Sequence, residues 1–215
     1  MSYEAVIFDN DGVLTEPTPI EVFREAVREA FAEFDVEPTT EAVDCIVHGK
    51  PTRVRRICEL HGVDHDEFWA RHEARSAAAQ RAVLEAGAKP LYDDVEALFD
   101  LRVPLGVVSN NQHATVEHVV DVHGLGDLFS VAYGREPSVE GLRRIKPSPH
   151  YLRRALAALD VEDALYVGDS NADLLAASRA GVDSAYVRRP HRTGYELAAE
   201  PTHVLDSLRD LPALA

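Results

Sequence analysis

The sequence predicts an α/β protein, a doubly wound, Rossmann-like parallel-sheet core with an all-helical domain inserted after the first strand. Three observations predict it. Residues 4–8 are a short apolar run that stops at Asp9, Asn10, Asp11 and Gly12, the pattern of a buried strand entering a turn. Residues 16–86 then carry helical periodicity alone. Beyond them strand-like and helix-like segments alternate, and repeated units of that size favour a parallel sheet covered on both faces.

Taken in order, the first helix is expected over 19–34. Thr18, Pro19 and Glu21 read as a capping box with proline at the first helical position, and Ile20, Phe23, Val27, Ala30, Phe31 and Phe34 supply one apolar face. A second helix is expected over 41–47, a third from Thr52 to Gly62, and a fourth from Asp64 to Leu84, ahead of Gly87. Then come helix 93–100, strand 103–109, helix 112–122, strand 130–133, helix 148–159, strand 164–168, helix 171–180, strand 184–187 and a short strand at 202–205. The expected division is a core of 1–15 and 87–215 and a helical cap of 16–86, joined by a hinge.

Composition sets bounds on function. A chain of 215 residues with 46% hydrophobic content can bury a full core. A net charge of −15 disfavours nucleic acid and anionic membrane surfaces as partners. No apolar stretch approaches the roughly 20 residues that cross a bilayer, and no leader is visible, so the cytoplasm is the expected compartment. Cys45 and Cys58 lie in apolar helical patterns and read as free thiols. The closest histidine pairs, His61 with His65 and His118 with His123, do not have zinc-site spacing. Basic residues are nearly all arginine, with Lys50, Lys89 and Lys146 the three lysines, and this acidic, arginine-rich balance resembles proteins of salt-loving organisms.

Open parallel sheets bind ligands at the carboxyl ends of their strands. The polar residues expected there are Asp9, Asp11, Ser109, Asn110 and Asp169. Asp9 and Asp11 are two apart on an extended chain and would share one small space, which calls for a cation. A hard oxygen set of Asp9, Asp11 and Asp169 suits Mg²⁺. Ser109 and Asn110 also stand where they would cap helix 112–122, and a helix amino end is itself a phosphate site.

These residues carry a resemblance. Asp9-Asn10-Asp11-Gly12-Val13 matches the first signature of the haloacid dehalogenase-like hydrolase superfamily. Val107-Val108-Ser109-Asn110 resembles its second, Lys146-Pro147 its third, and Gly168-Asp169-Ser170-Asn171-Ala172-Asp173 its fourth. Any one match is common; four in order, each at an expected strand end or loop, are specific. The resemblance implies that Asp9 attacks phosphorus to form an aspartyl-phosphate. It further implies that Asp11 donates a proton to the leaving oxygen and then activates water. Ser109, backbone amides near Asn110, and Lys146 would hold the phosphate opposite Mg²⁺, with Asp169 on the metal and Asp173 orienting water or Lys146.

Relatives with this helical cap suggest a phosphoglycolate phosphatase-like enzyme acting on a small phosphorylated metabolite, as a monomer or homodimer. His48, Lys50 and Arg53, between two cap helices, would reach the far end of the substrate, or form an exposed turn. A sugar-phosphate mutase resembling β-phosphoglucomutase stays open, as does a phosphate-sensing module without turnover. Carbon–halogen hydrolysis and phosphonate cleavage through Lys50 are disfavoured by Asp11, which relatives with those activities lack.

Overall fold

The computed structural model describes residues 3–48 and 51–214. A six-stranded, fully parallel sheet forms the core: β1 (Ala5–Phe8), β2 (Leu105–Gln112), β3 (Val131–Arg135), β4 (Ala164–Gly168), β5 (Asp183–Val187) and β6 (His203–Leu205). Their spatial order is β3-β2-β1-β4-β5-β6. Central β1 pairs with β2 through Val6 opposite Leu105 and with β4 through Val6 opposite Leu165. All four of its residues are buried, which explains a continuous apolar run instead of alternation.

Successive β1 side chains point to opposite faces and feed two cores. Val6 and Phe8 join Val107, Leu165, Val167, Leu98 and Val116, while Ala5 and Ile7 join Val108, Tyr151, Leu152, Tyr166 and Ala177. The flanking helices are α5 (His113–Val122), α6 (Val139–Arg143), α7 (His150–Leu159) and α8 (Asn171–Ala180). Between β1 and β2 lie α1 (Ile20–Ala32), α2 (Thr40–Val47), α3 (Pro51–His61) and α4 (His65–Glu85). These four have a hydrophobic cluster of their own, including Val27, Phe31, Val43, Ile46, Val54, Phe68 and Trp69, with the Phe31 and Phe68 rings 4.2 Å apart.

Several expectations are corrected. Residues 93–100 form a 3-10 helix, as do 208–213, and helix α6 was not foreseen. The Thr18 capping box does not form: Pro19 precedes α1 without a side-chain cap, because the Thr18 hydroxyl accepts from Lys89 and Glu21 pairs with Arg24. Strand β2 runs on to Gln112 through a register shift against β3, so Ser109 and Asn110 are strand residues and do not cap α5. Cys45 and Cys58 are unpaired, and no helix among the described residues is long and apolar enough to cross a membrane.

The helical insert depends on its aromatic cluster, so Phe31→Ala should lower the unfolding free energy by about 3–5 kcal/mol. Urea denaturation followed by circular dichroism measures the loss.

Candidate active site

Strand order reverses between β1 and β4, and the crevice at such a switch point is where open α/β sheets bind ligands. Asp9 directly follows β1 and Asp169 directly follows β4. The turn after Asp9 is tight: the Asn10 carbonyl accepts from the amides of Val13, Leu14 and Thr15, and Gly12 at the bend has φ +88°. A β-carbon at Gly12 would lie 2.6 Å from Asp169 Oδ2, so glycine serves there both for its backbone angle and for the close approach of the two loops.

The carboxylates of Asp9, Asp169 and Asp173 converge, each offering an oxygen within 4.8 Å of the others, and all three residues are buried. Lys146 Nζ lies 2.7 Å from Asp9 Oδ1 and 2.6 Å from Asp173 Oδ1, and donates to Tyr166 Oη at 2.9 Å. Burial works against the Lys146 charge, but the Asp173 and Asp9 carboxylates overcome it and hold the ammonium well above the ordinary lysine value. Burial pushes the Asp9 carboxyl up to about 8; Lys146 opposes this, while the Asp173 and Asp169 charges add to it. Asp173 also accepts from the Ser170 amide at 3.0 Å and from its hydroxyl, closing a capping box on α8, so its aim at Lys146 is set by the helix start.

Asp169 Oδ2 receives Arg192 Nε at 2.8 Å and lies 2.7 Å from His191 Nε2. Neither residue was expected from sequence. The signal was there as Arg188-Arg189-Pro190-His191-Arg192, a dense basic run directly after a strand in an acidic chain.

Asp11 behaves differently from the expectation that its carboxylate joins Asp9 and Asp169. Its Oδ1 pairs with the buried Lys89, and its Oδ2 accepts from Asn10 at 3.2 Å and Asn111 at 3.4 Å. Asp173 takes its place in the converging group. Ser109 is 2% exposed, and its hydroxyl accepts from the Asn111 amide at 3.1 Å. The Asn110 side chain spans the Lys146 backbone, accepting from its amide at 2.7 Å and donating to its carbonyl at 3.2 Å. Asn110 therefore places Lys146, a role its sequence position did not disclose.

A cleft of about 520 Å³ opens over these groups, lined by Asp9, Asp11, Ser109, Asn110 and Asp169 and, from the insert, by Phe23, Ile46, His48, Trp69, His72 and Ser76. Of the insert residues expected to face substrate, His48 lines the cleft. Arg53 is exposed on α3, 3.8 Å from Cys45 Sγ and away from the cleft lining, and Lys50 falls outside the described residues. Arg135 of β3 enters the cleft wall and makes a two-pronged pair with Glu73 of α4, both contacts 2.9 Å.

The three buried carboxylates are hard oxygen donors, burial first and their mutual repulsion second raise Asp9, and this donor chemistry fits a divalent cation. Carboxylate chemistry at the switch point of a doubly wound sheet beside a helical insert defines a class of α/β hydrolases. A family model described as haloacid dehalogenase-like hydrolase matches residues 3–181, and the chain belongs to that family. It is 32% identical over 221 residues to phosphoglycolate phosphatase of Cereibacter sphaeroides, covering 96% of each chain. It is 31% identical to phosphoglycolate phosphatase 1 of Pseudomonas aeruginosa, covering 96% of this chain and 77% of that one. Among solved structures it resembles a haloacid dehalogenase-superfamily hydrolase, subfamily IA, of Geobacter sulfurreducens, with TM-score 0.66, 22% identity and full coverage of both chains. It also resembles CbbY of Rhodobacter sphaeroides, with TM-score 0.67, 24% identity and coverage of 97% and 96%.

Burial, aided by the Arg135 charge, pushes His72 from an ordinary 6.5 down to about 4. Within that window the unfolded chain takes up a proton that the folded chain refuses, so His72 costs stability as pH falls from 6.5 to about 4. Thermal melts of His72→Gln should therefore lose less stability than the parent between those two pH values, and parallel curves would contradict the assignment.

Proposed function

We infer that this protein hydrolyses a small phosphate monoester with the help of Mg²⁺, in the manner of a phosphoglycolate phosphatase. One observation carries the reading: the buried Asp9 carboxylate lies 2.7 Å from the Lys146 ammonium and converges with the Asp169 and Asp173 carboxylates, at a strand end facing a cleft. The two phosphoglycolate phosphatases, each similar along nearly the whole of this chain, support the substrate class.

Asp9 attacks phosphorus, and as the new Asp9–phosphorus bond forms the bond to the leaving oxygen breaks. Asp11 gives that oxygen a proton, since an alkoxide leaves poorly without one. Asp11 then takes a proton from water, which attacks phosphorus and frees the Asp9 carboxylate and inorganic phosphate. Lys146 keeps positive charge against Asp9 and the phosphoryl oxygens, and the Ser109 hydroxyl and neighbouring amides are the remaining donors to that group. Asp9 and Asp169 would hold the cation, with Asp173 beside them keeping Lys146 in place. When bound, Mg²⁺ neutralises phosphoryl charge. The insert acts as a cap whose cleft wall, including His48, His72 and Trp69, contacts the part of the substrate beyond phosphate.

Asp11 favours this reaction over carbon–halogen hydrolysis, which requires no proton donor to an oxygen leaving group. A panel of phosphate monoesters including phosphoglycolate, with one haloacid, tests the assignment in Mg²⁺ and in EDTA. Turnover of the esters should need Mg²⁺ and fall by about a thousandfold or more in Asp9→Asn. Haloacid turnover that survives EDTA would sink the assignment.

A further inference from the structure

We propose that Lys89 is a positioning residue for Asp11, and that through it the two chain segments joining insert to core set the aim of the proton-transfer carboxylate. The inference rests on the phosphatase reading and adds to it a residue that no signature of the chain contains.

Lys89 is 2% exposed, and a lysine buried that far requires a partner for its ammonium. It finds two: Asp11 Oδ1, and Thr18 Oγ1 at 3.1 Å. Thr18 sits where the chain enters the insert, just before α1, and Lys89 where it leaves, just after α4. The two segments run side by side, with Glu16 donating to the Pro90 carbonyl at 3.0 Å and Tyr92 donating to the Leu14 carbonyl at 2.9 Å. Lys89 is anchored from the core as well, since its own carbonyl contacts His123 Nε2 at 3.1 Å.

The other oxygen of Asp11 is held more loosely. Its contacts, at 3.2 Å from Asn10 and 3.4 Å from Asn111, are long for hydrogen bonds. Asn111 in turn exchanges hydrogen bonds with Gln80 of α4. One carboxylate oxygen is thus saturated by an ammonium at the junction, and the other is the one available to carry a proton.

Leaving-group dependence separates positioning of an acid from general structural support. An alkyl phosphate needs its leaving oxygen protonated, whereas p-nitrophenyl phosphate expels a stable phenolate. The value of kcat/KM reports the chain of events up to phosphoryl transfer to Asp9. Lys89→Met should lower it about 30-fold for glycerol phosphate and no more than about threefold for p-nitrophenyl phosphate, shifting the ratio in the direction of Asp11→Asn. Equal losses on the two esters in a folded variant overturn the proposal, as does no loss on either. If circular dichroism shows Lys89→Met unfolded, Thr18→Val decides. Loss of the threonine partner should move the same ratio the same way by about threefold, and an unmoved ratio rejects the role. A parent enzyme that turns over neither ester with Mg²⁺ removes the phosphatase reading and this proposal with it.

Discussion

Lys146 Nζ sits within 2.7 Å of Asp9 and 2.6 Å of Asp173, in a place that water barely reaches, and the rest of the site is arranged around that contact. Burying an ammonium or a carboxylate alone is costly, and removing one partner of such a pair typically costs about 3–5 kcal/mol. The three residues come from distant parts of the chain. Asp9 ends β1, Asp173 opens the first turn of α8, and Lys146 lies in the loop before α7. Each is held by independent means: Asp9 by the turn through Asn10, Asp173 by the α8 capping box, and the Lys146 backbone by Asn110. The Tyr166 hydroxyl, donating to the Val108 carbonyl at 2.9 Å, completes the enclosure. A buried charge cluster can face a cleft here because both cores of the sheet grip the strands that present it.

A second constraint joins the insert to this cluster. Helix α4 has one buried stripe that changes character along its length. Phe68 and Trp69 enter the aromatic core of the insert, while Glu73, Ser76 and Gln80 turn polar groups toward the ends of β2 and β3. Glu73 pairs with Arg135, its carbonyl accepts from Gln112 at 3.1 Å, and Gln80 meets Asn111. Polar groups at an interface satisfy one another only in one arrangement, so this seam specifies how the insert seats on the sheet, whereas an apolar seam would tolerate sliding. The Lys89 contacts with Asp11 and Thr18 bring the same constraint into the loop that follows β1.

The parts of this architecture that were legible in sequence are those governed by local rules. Strand 164–168 and helix 171–180 match their expected bounds because an apolar run, a glycine and a serine cap mark them without outside help. The 3-10 character of 93–100 was not legible, since its apolar spacing is also that of an α-helix and its geometry is decided by packing. Thr18 shows how a correct local pattern is overridden: the capping residue was there, but a buried lysine far along the chain made the better use of its hydroxyl.

By itself the sequence determined the fold class, the position of the helical insert, and four short segments at strand ends carrying Asp9, Ser109, Lys146 and Asp169. Hydrophobic period and turn chemistry act within a few residues, and these features need nothing more. Only the tertiary structure decided which carboxylates meet. Asp173 joins Asp9 and Asp169, Asp11 turns to Lys89, His191 and Arg192 reach Asp169, and Asn110 holds the Lys146 backbone. Those pairings depend on loops brought together by strand order and on side-chain directions fixed by packing, and no spacing along the chain encodes either.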